Sequence, residues 1–176
     1  MKFKTSTLYT AHIDCALGGI TLAATDKGLA GAWFDSQCHS PDTTGWQPAP
    51  DHPVLREAAV QLHDYFAGRR REFDLPLDLS HGTAFQQSVW QALRAIPTGK
   101  TTSYGALSAG VGKPAAVRAV GAAVGRNPIS VIVPCHRVLG ADGSLTGYAG
   151  GLERKTALLT LEGALHETAD LAEAAA

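Results

Sequence analysis

Ser103-Tyr104-Gly105-Ala106-Leu107-Ser108-Ala109-Gly110-Val111-Gly112-Lys113-Pro114-Ala115-Ala116-Val117-Arg118-Ala119-Val120-Gly121-Ala122-Ala123-Val124 reads as two short helices joined by a glycine turn. Ser103 is suited to cap the first, which runs through Leu107, because its hydroxyl can accept an orphan backbone N–H. Gly110 to Pro114 forms the turn, and Pro114 at a first helical position opens the second helix, about Ala115 to Val124. That pattern is a helix-turn-helix, which by itself is a weak sign of DNA binding. The second helix is unusual in being thin. Ala115, Ala116, Ala119, Gly121, Ala122 and Ala123 carry almost no side chain, and Arg118 is its one long one. Such a helix can press close to a groove wall and project a single cation.

Upstream, Thr83 is placed to cap a helix carrying Phe85, Val89, Trp90, Leu93 and Ile96 on one face, stopped by Pro97-Thr98-Gly99. Further back, Thr7–Ile13, Gly19–Thr25 and Gly28–Phe34 are rich in β-branched and aromatic residues and divided by glycine-containing turns, as in a small antiparallel sheet. A loop from Ser36 to Pro53 follows. Val54, Leu55, Ala58, Leu62, Tyr65 and Phe66 then recur at helical spacing until Gly68. The Arg69-Arg70-Arg71 run reads as a solvated corner. The expected class is α/β (α+β): an amino-terminal domain over residues 1–81 with an antiparallel sheet plus helix, and a helix-turn-helix, winged-helix-like active-site domain over 82–163. Residues 164–176, biased to Ala and Glu, read as a flexible tail.

Bulk properties exclude several classes. The chain has 176 residues, 45% hydrophobic and 18% charged, as in an ordinary globular protein. No apolar run approaches the roughly 18 residues that span a bilayer. The amino terminus lacks the pattern of a signal peptide, which points to the cytoplasm, or to the nucleus in a eukaryote. Cys15, Cys38 and Cys135 are widely spaced and odd in number, so structural disulfides are not expected. Cys38-His39 has no second ligand pair at finger-like spacing, so neither metal nor cofactor is expected. The net charge of −1 conceals an asymmetry. Residues 82–163 hold eight Lys or Arg against three Asp or Glu, whereas residues 1–81 and the tail each carry −3. A basic module between acidic flanks permits a phosphate-facing surface.

The chemistry is concentrated in Asn127-Pro128-Ile129-Ser130-Val131-Ile132-Val133-Pro134-Cys135-His136-Arg137-Val138-Leu139-Gly140. A buried apolar strand, Ile129 to Val133, delivers Cys135 to the turn made by Pro134. A free thiol is only a few per cent thiolate at neutral pH, so it needs a base, and His136 adjoins it. The base must be oriented in turn, usually by a carboxylate. Glu162, ending the apolar helix Lys155–Leu161 before Gly163, is a candidate. A cysteine after an apolar run is more often an inert core residue. The residues around this one single it out.

Pro134-Cys135-His136-Arg137-Val138 resembles, without substitution, the signature of the O6-alkylguanine-DNA alkyltransferases. Thr102-Ser103-Tyr104-Gly105, Arg118-Ala119-Val120-Gly121, Gly147-Tyr148-Ala149-Gly150-Gly151-Leu152, Lys155 and Leu161-Glu162-Gly163 extend the resemblance over about Thr83 to Gly163. The strand-rich first half resembles that family's variable amino-terminal domain more weakly. The resemblance implies single-turnover repair of double-stranded DNA, in which Cys135 takes an alkyl group from guanine O6 and keeps it. His136 takes the thiol proton through a water and Glu162 orients His136. Tyr104 would protonate or stabilise the leaving guanine, and Asn127 would be the hinge before the active-site segment. Val138, Tyr148, Ala149 and Lys155 would form the base pocket. Arg118 would fill the stack after the nucleotide is flipped out, while Ser103, Tyr104, Ala116, Val117 and Gly121 would contact DNA from the minor groove. A monomer without cofactor, metal or membrane contact is implied. The motifs leave both O6-alkylguanine and O4-alkylthymine as substrates. Three other readings compete. A non-enzymatic binder of alkylated guanine would lack the cysteine, a transcription factor gives Cys135-His136 no task, and a cysteine hydrolase wants its nucleophile at a helix start.

Overall fold

The computed structural model describes residue 3 and residues 7–165, so the expected tail lies, from residue 166 on, outside the described residues. The chain divides into two compact units. One comprises residues 1–83 with Pro128–Ser130; the other comprises Ala84–Asn127 and residues 131–176.

The first unit is built on β1 (Tyr9–Cys15), β2 (Gly18–Thr25) and β3 (Gly28–Phe34), which pair antiparallel in sequence order. Two-residue connections, Ala16-Leu17 and Asp26-Lys27, close both hairpins. Gly18 and Gly28 carry the positive φ values, 105° and 147°, that such tight turns demand. All of β3 is buried, and every residue of β2 after Gly18 but Thr21 is buried too. A two-residue β4 (Gln47–Pro48) lies parallel to β1 at Tyr9 and Thr10, inside the segment expected to be a plain loop. Pro48 is tolerated because β4 is an edge strand, where a missing N–H breaks no ladder. The helix α1 (Pro53–Phe66) begins at Pro53 and buries Leu55, Ala58, Leu62 and Tyr65. Arg69 pairs with Asp64 at an exposed corner of this unit.

In the second unit α2 (Ala84–Arg94) buries Val89, Trp90 and Leu93, and the Trp90 indole donates to the Ala123 carbonyl at 2.9 Å. Ile96 falls beyond the end of α2, because the chain turns ahead of Pro97. A short β5 (Thr102–Ser103) precedes α3 (Tyr104–Gly110), and Ser103 caps it as expected, its hydroxyl accepting from the Ala106 N–H. The second helix of the pair, α4, spans Val117–Gly125 and so starts later than the sequence suggested. Pro114 and Ala115 sit in the preceding turn, with the Ser108 hydroxyl donating to the Lys113 carbonyl.

The run Ile129–Val133 is buried but is not a strand. Pro128 and Ser130 exchange backbone hydrogen bonds with Ala32, and Ile129 forms a lone bridge there. The chain then bends through Val131, whose φ of 72° is rare for a β-branched residue. A short apolar run signals burial and leaves the backbone path open. A 3-10 turn (Cys135–Arg137) leads into β6 (Val138–Leu139), which pairs in parallel with β5, and α5 (Leu152–Leu161) closes the unit. Among the described residues no helix is long and apolar enough to cross a membrane.

Candidate active site

Pro134 ends the bent apolar segment, and the chain tightens at once into the 3-10 turn that holds Cys135, His136 and Arg137, all buried. Cys135 is 5% exposed. Its sulfur accepts from Asn127 Nδ2 at 3.0 Å, and the same amide donates to the Val133 carbonyl at 2.7 Å. One side chain therefore fixes both the thiol and the backbone that presents it. Burial pushes the Cys135 thiol above its ordinary pKa, while the Asn127 hydrogen bond and the Lys155 charge oppose that rise. The resting group is a thiol, which is a weak nucleophile until a base removes its proton.

His136 is fully buried, and its Nε2 meets Glu162 Oε1 at 2.9 Å. A carboxylate can only accept, so Nε2 carries the proton and Nδ1 keeps its lone pair. Among the described residues Nδ1 has no hydrogen-bond partner, which leaves it available as the base. Burial holds the imidazole pKa below 6.5 against the opposing pull of Glu162, so the ring is neutral at rest. Glu162 caps α5 and is gripped by Arg137, whose Nε reaches Oε2 at 2.8 Å and whose Nη2 reaches Oε1 at 2.8 Å. The guanidinium also donates to the Ile96 carbonyl and, at 3.0 Å, to Thr98 Oγ1.

Lys155, expected at the base pocket, is wholly buried, its ammonium donating to the carbonyls of Val138 at 2.6 Å and Thr146 at 2.7 Å. Burial pulls its pKa down to about 8, opposed by Cys135. Lysine here ties the start of β6 to the loop before Tyr148 and supplies a positive charge that favours the thiolate. Val138 is fully buried, and Tyr148 and Ala149 are half-buried. The Tyr104 hydroxyl lies 3.5 Å from the Thr146 carbonyl and 3.4 Å from that of Gly147, long contacts that leave it free to turn to another acceptor. Burial raises its pKa, with a further rise from Cys135, so the phenol keeps its proton. A Cβ on Gly121 would come 3.8 Å from the Tyr104 ring, an ordinary van der Waals contact, so α4 faces Tyr104 at this position with room for a methyl group.

On α4, Val120, Ala123 and Val124 face inward, leaving Val117, Arg118, Ala119 and Ala122 exposed, with Ala116 and Gly121 half-buried. The thin face is thus the open one. Sequence reasoning gave Arg137 no task, although an arginine inside an otherwise apolar block was the available signal. No group of three or more His, Cys, Asp or Glu among the described residues could hold a metal ion.

Residues 84–164 match the family described as 6-O-methylguanine DNA methyltransferase, DNA binding domain, and residues 8–79 match the 6-O-methylguanine DNA methyltransferase, ribonuclease-like domain. The methylated-DNA–protein-cysteine methyltransferase of Mycobacterium tuberculosis is 51% identical over 150 residues, covering 85% of this chain and 89% of its own. That of Methanosarcina acetivorans is 46% identical over 159 residues, covering 89% and 99%. The crystal structure of Mycobacterium tuberculosis OGT in complex with DNA superposes with a TM-score of 0.79 at 49% identity, covering 89% of this chain and 92% of that one.

Asn127→Ala should raise the Cys135 thiol pKa further, since it deletes the side-chain donor that most opposes the rise from burial, and should cost about 1–3 kcal/mol for the orphaned Val133 carbonyl. The pH dependence of labelling by a small thiol reagent, in a chain with Cys15 and Cys38 changed to serine, reads the first effect. An unchanged or lower midpoint would contradict it.

Proposed function

The chain belongs to the O6-methylguanine DNA methyltransferase family, and from that we propose how its residues carry out the repair. It repairs DNA by transferring an alkyl group from a damaged base to a cysteine of its own. In our reading that cysteine is Cys135. The observation that carries the assignment is the buried line from the Cys135 turn through His136 to Glu162, with Nδ1 of His136 left unpaired among the described residues.

The thiol proton passes to His136 Nδ1 through a water, and the sulfur attacks the alkyl carbon in line. The sulfur–carbon bond forms as the carbon–O6 bond breaks, and the electron pair leaves with guanine. Tyr104, kept protonated by burial, supplies a proton to the leaving base, and the proton held on His136 restores the balance. Net, an S–H and an O6-alkyl group become a thioether and guanine. No group in the site hydrolyses a thioether, so each chain reacts once.

A buried sulfur cannot reach a base inside the stack. The nucleotide therefore has to rotate out, at a cost of a few kcal/mol. We assign Ser103, Ala116, Val117, Arg118 and Gly121 to the DNA surface, with Arg118 filling the vacated stack, and Val138, Tyr148 and Ala149 to the wall of the base pocket. The exposed small residues beside Arg118 support a close approach to the minor groove. One chain carries every group in the scheme, which supports a monomer, and a DNA substrate supports action in the cytoplasm (or the nucleus of a eukaryote). Both O6-alkylguanine and O4-alkylthymine fit the chemistry of displacement at an alkyl carbon.

Cys135→Ser should bind alkylated duplex about as well as the parent and transfer nothing, because a hydroxyl is far harder to ionise than a thiol. Stoichiometric transfer by that variant would remove Cys135 from its role. Arg118→Ala should react slowly with O6-methylguanine in duplex even at saturating protein, yet near normally with free O6-benzylguanine, which needs no flipping. Equal loss on both substrates would mean that Arg118 supports the pocket and not the stack.

A further inference from the structure

A catalytic imidazole works only if the correct nitrogen holds the proton, and the Cys-His-Glu line does not settle that by itself. Glu162 is 3% exposed. A buried carboxyl group with no cation favours its protonated form, since burial penalises charge. Protonated, Glu162 would donate to His136 Nε2, drive the ring proton onto Nδ1 and leave no lone pair for the thiol proton.

Arg137 stands against that state. It contacts both oxygens of Glu162 at 2.8 Å, and Oε1 is shared with His136 Nε2. Its remaining donors reach the Ile96 carbonyl and Thr98 Oγ1, so the fork cannot swing away. We propose that Arg137 is a positioning residue for alkyl transfer, holding Glu162 as the carboxylate and thereby fixing His136 as the neutral Nε2–H tautomer whose Nδ1 takes the thiol proton. It rests on the alkyl-transfer reading and adds to it a residue that touches neither base nor sulfur.

The same cation discourages His136 from becoming permanently protonated. Burial lowers its pKa most, Glu162 raises it, and the charges of Arg137 and Lys155 lower it again. The other ionisable neighbours of the site are Cys135 and Tyr104, and Cys135 adds to the rise in the Tyr104 pKa. Lys155 loses its charge as pH rises through about 8, so it acts on the alkaline side of any profile. Arg137 writes its signature on the acid side. Without it, protonation of Glu162 and protonation of His136 both become easier, and both destroy the base as pH falls.

The test is the pH profile of single-turnover transfer from free O6-benzylguanine to the whole chain. The parent should lose activity only as pH falls through a value below 6.5. In Arg137→Gln that acid limb should move up by about 1–3 pH units, the effect of one opposite charge at contact distance. Activity should recover above the displaced limb. Arg137→Lys keeps the charge but not the two-point grip, and its limb should lie between the two. An acid limb left in place in Arg137→Gln, with the rate unchanged or lowered equally at every pH, would overturn the proposal and mark Arg137 as structural only. If Arg137→Gln does not fold, nitrogen NMR of His136 in the parent decides: a neutral Nε2–H ring at neutral pH supports the proposal, and an Nδ1–H or doubly protonated ring overturns it. Failure of the underlying reading looks different, since the parent itself would then accept no benzyl group.

Discussion

The ion pair between Arg137 and Glu162 is closed off from solvent, and in the proposed scheme the chemistry at Cys135 depends on it. Taking two charges out of water costs several kcal/mol each, and attraction alone seldom repays this. Here the geometry does more than pair charges. Both carboxylate oxygens and every arm of the guanidinium are in use, and the spare donors end on Ile96 and Thr98. The interaction joins the chain just beyond α2, the nucleophile's own turn and the cap of α5. Removing one partner would strand the other, a loss of about 3–5 kcal/mol in comparable buried pairs. His136 inherits its orientation from that junction.

Around it, small and polar groups solve specific problems of presentation. Asn127 holds the Cys135 sulfur and the Val133 carbonyl together through one amide, which fixes the thiol relative to the backbone that presents it. Lys155 fastens Val138 to Thr146, and with them the segment that carries Tyr148 and Ala149. On α4 the inward residues are Val120, Ala123 and Val124, anchored through the Trp90 indole at Ala123. What remains outside is a nearly bare helix with one arginine. A buried thiol and a bare helix are complementary features. In the proposed scheme the helix allows close approach to DNA, and the thiol is reached only by a base that has left the stack.

Much of this was legible in the residues. Stretches rich in β-branched and aromatic residues, divided by Leu17-Gly18-Gly19 and Asp26-Lys27-Gly28, defined the three main strands, and Ser103 announced its own cap. The Pro134 to Val138 block and Glu162 marked a candidate site through their resemblance to a family signature, and the structure brings His136 and Glu162 together beside Cys135. Other features were hidden for physical reasons. Strand β4 is two residues long and includes a proline, so no periodicity marks it. The run Ile129–Val133 looked like a strand, but apolarity reports burial, and the backbone path was set by Ala32 hydrogen bonds and the bend at Val131. Pro114 marked a helix start that arrives only at Val117. Lys155 matched a pocket position, yet its partners are carbonyls, which one-dimensional sequence cannot display. Arg137 stood in the quoted block, but its task was hidden for the same reason, since its partner Glu162 is 25 residues away.

The central claim is that Cys135, and no other cysteine, receives the alkyl group. Incubation of the intact chain with one equivalent of duplex containing O6-methylguanine, followed by peptide mass mapping, measures this directly. The account predicts one methyl per chain, on the peptide bearing Cys135, with Cys15 and Cys38 unmodified and guanine restored in the DNA. A methyl on either of those two cysteines, or restored guanine with no methyl on the protein, would contradict it.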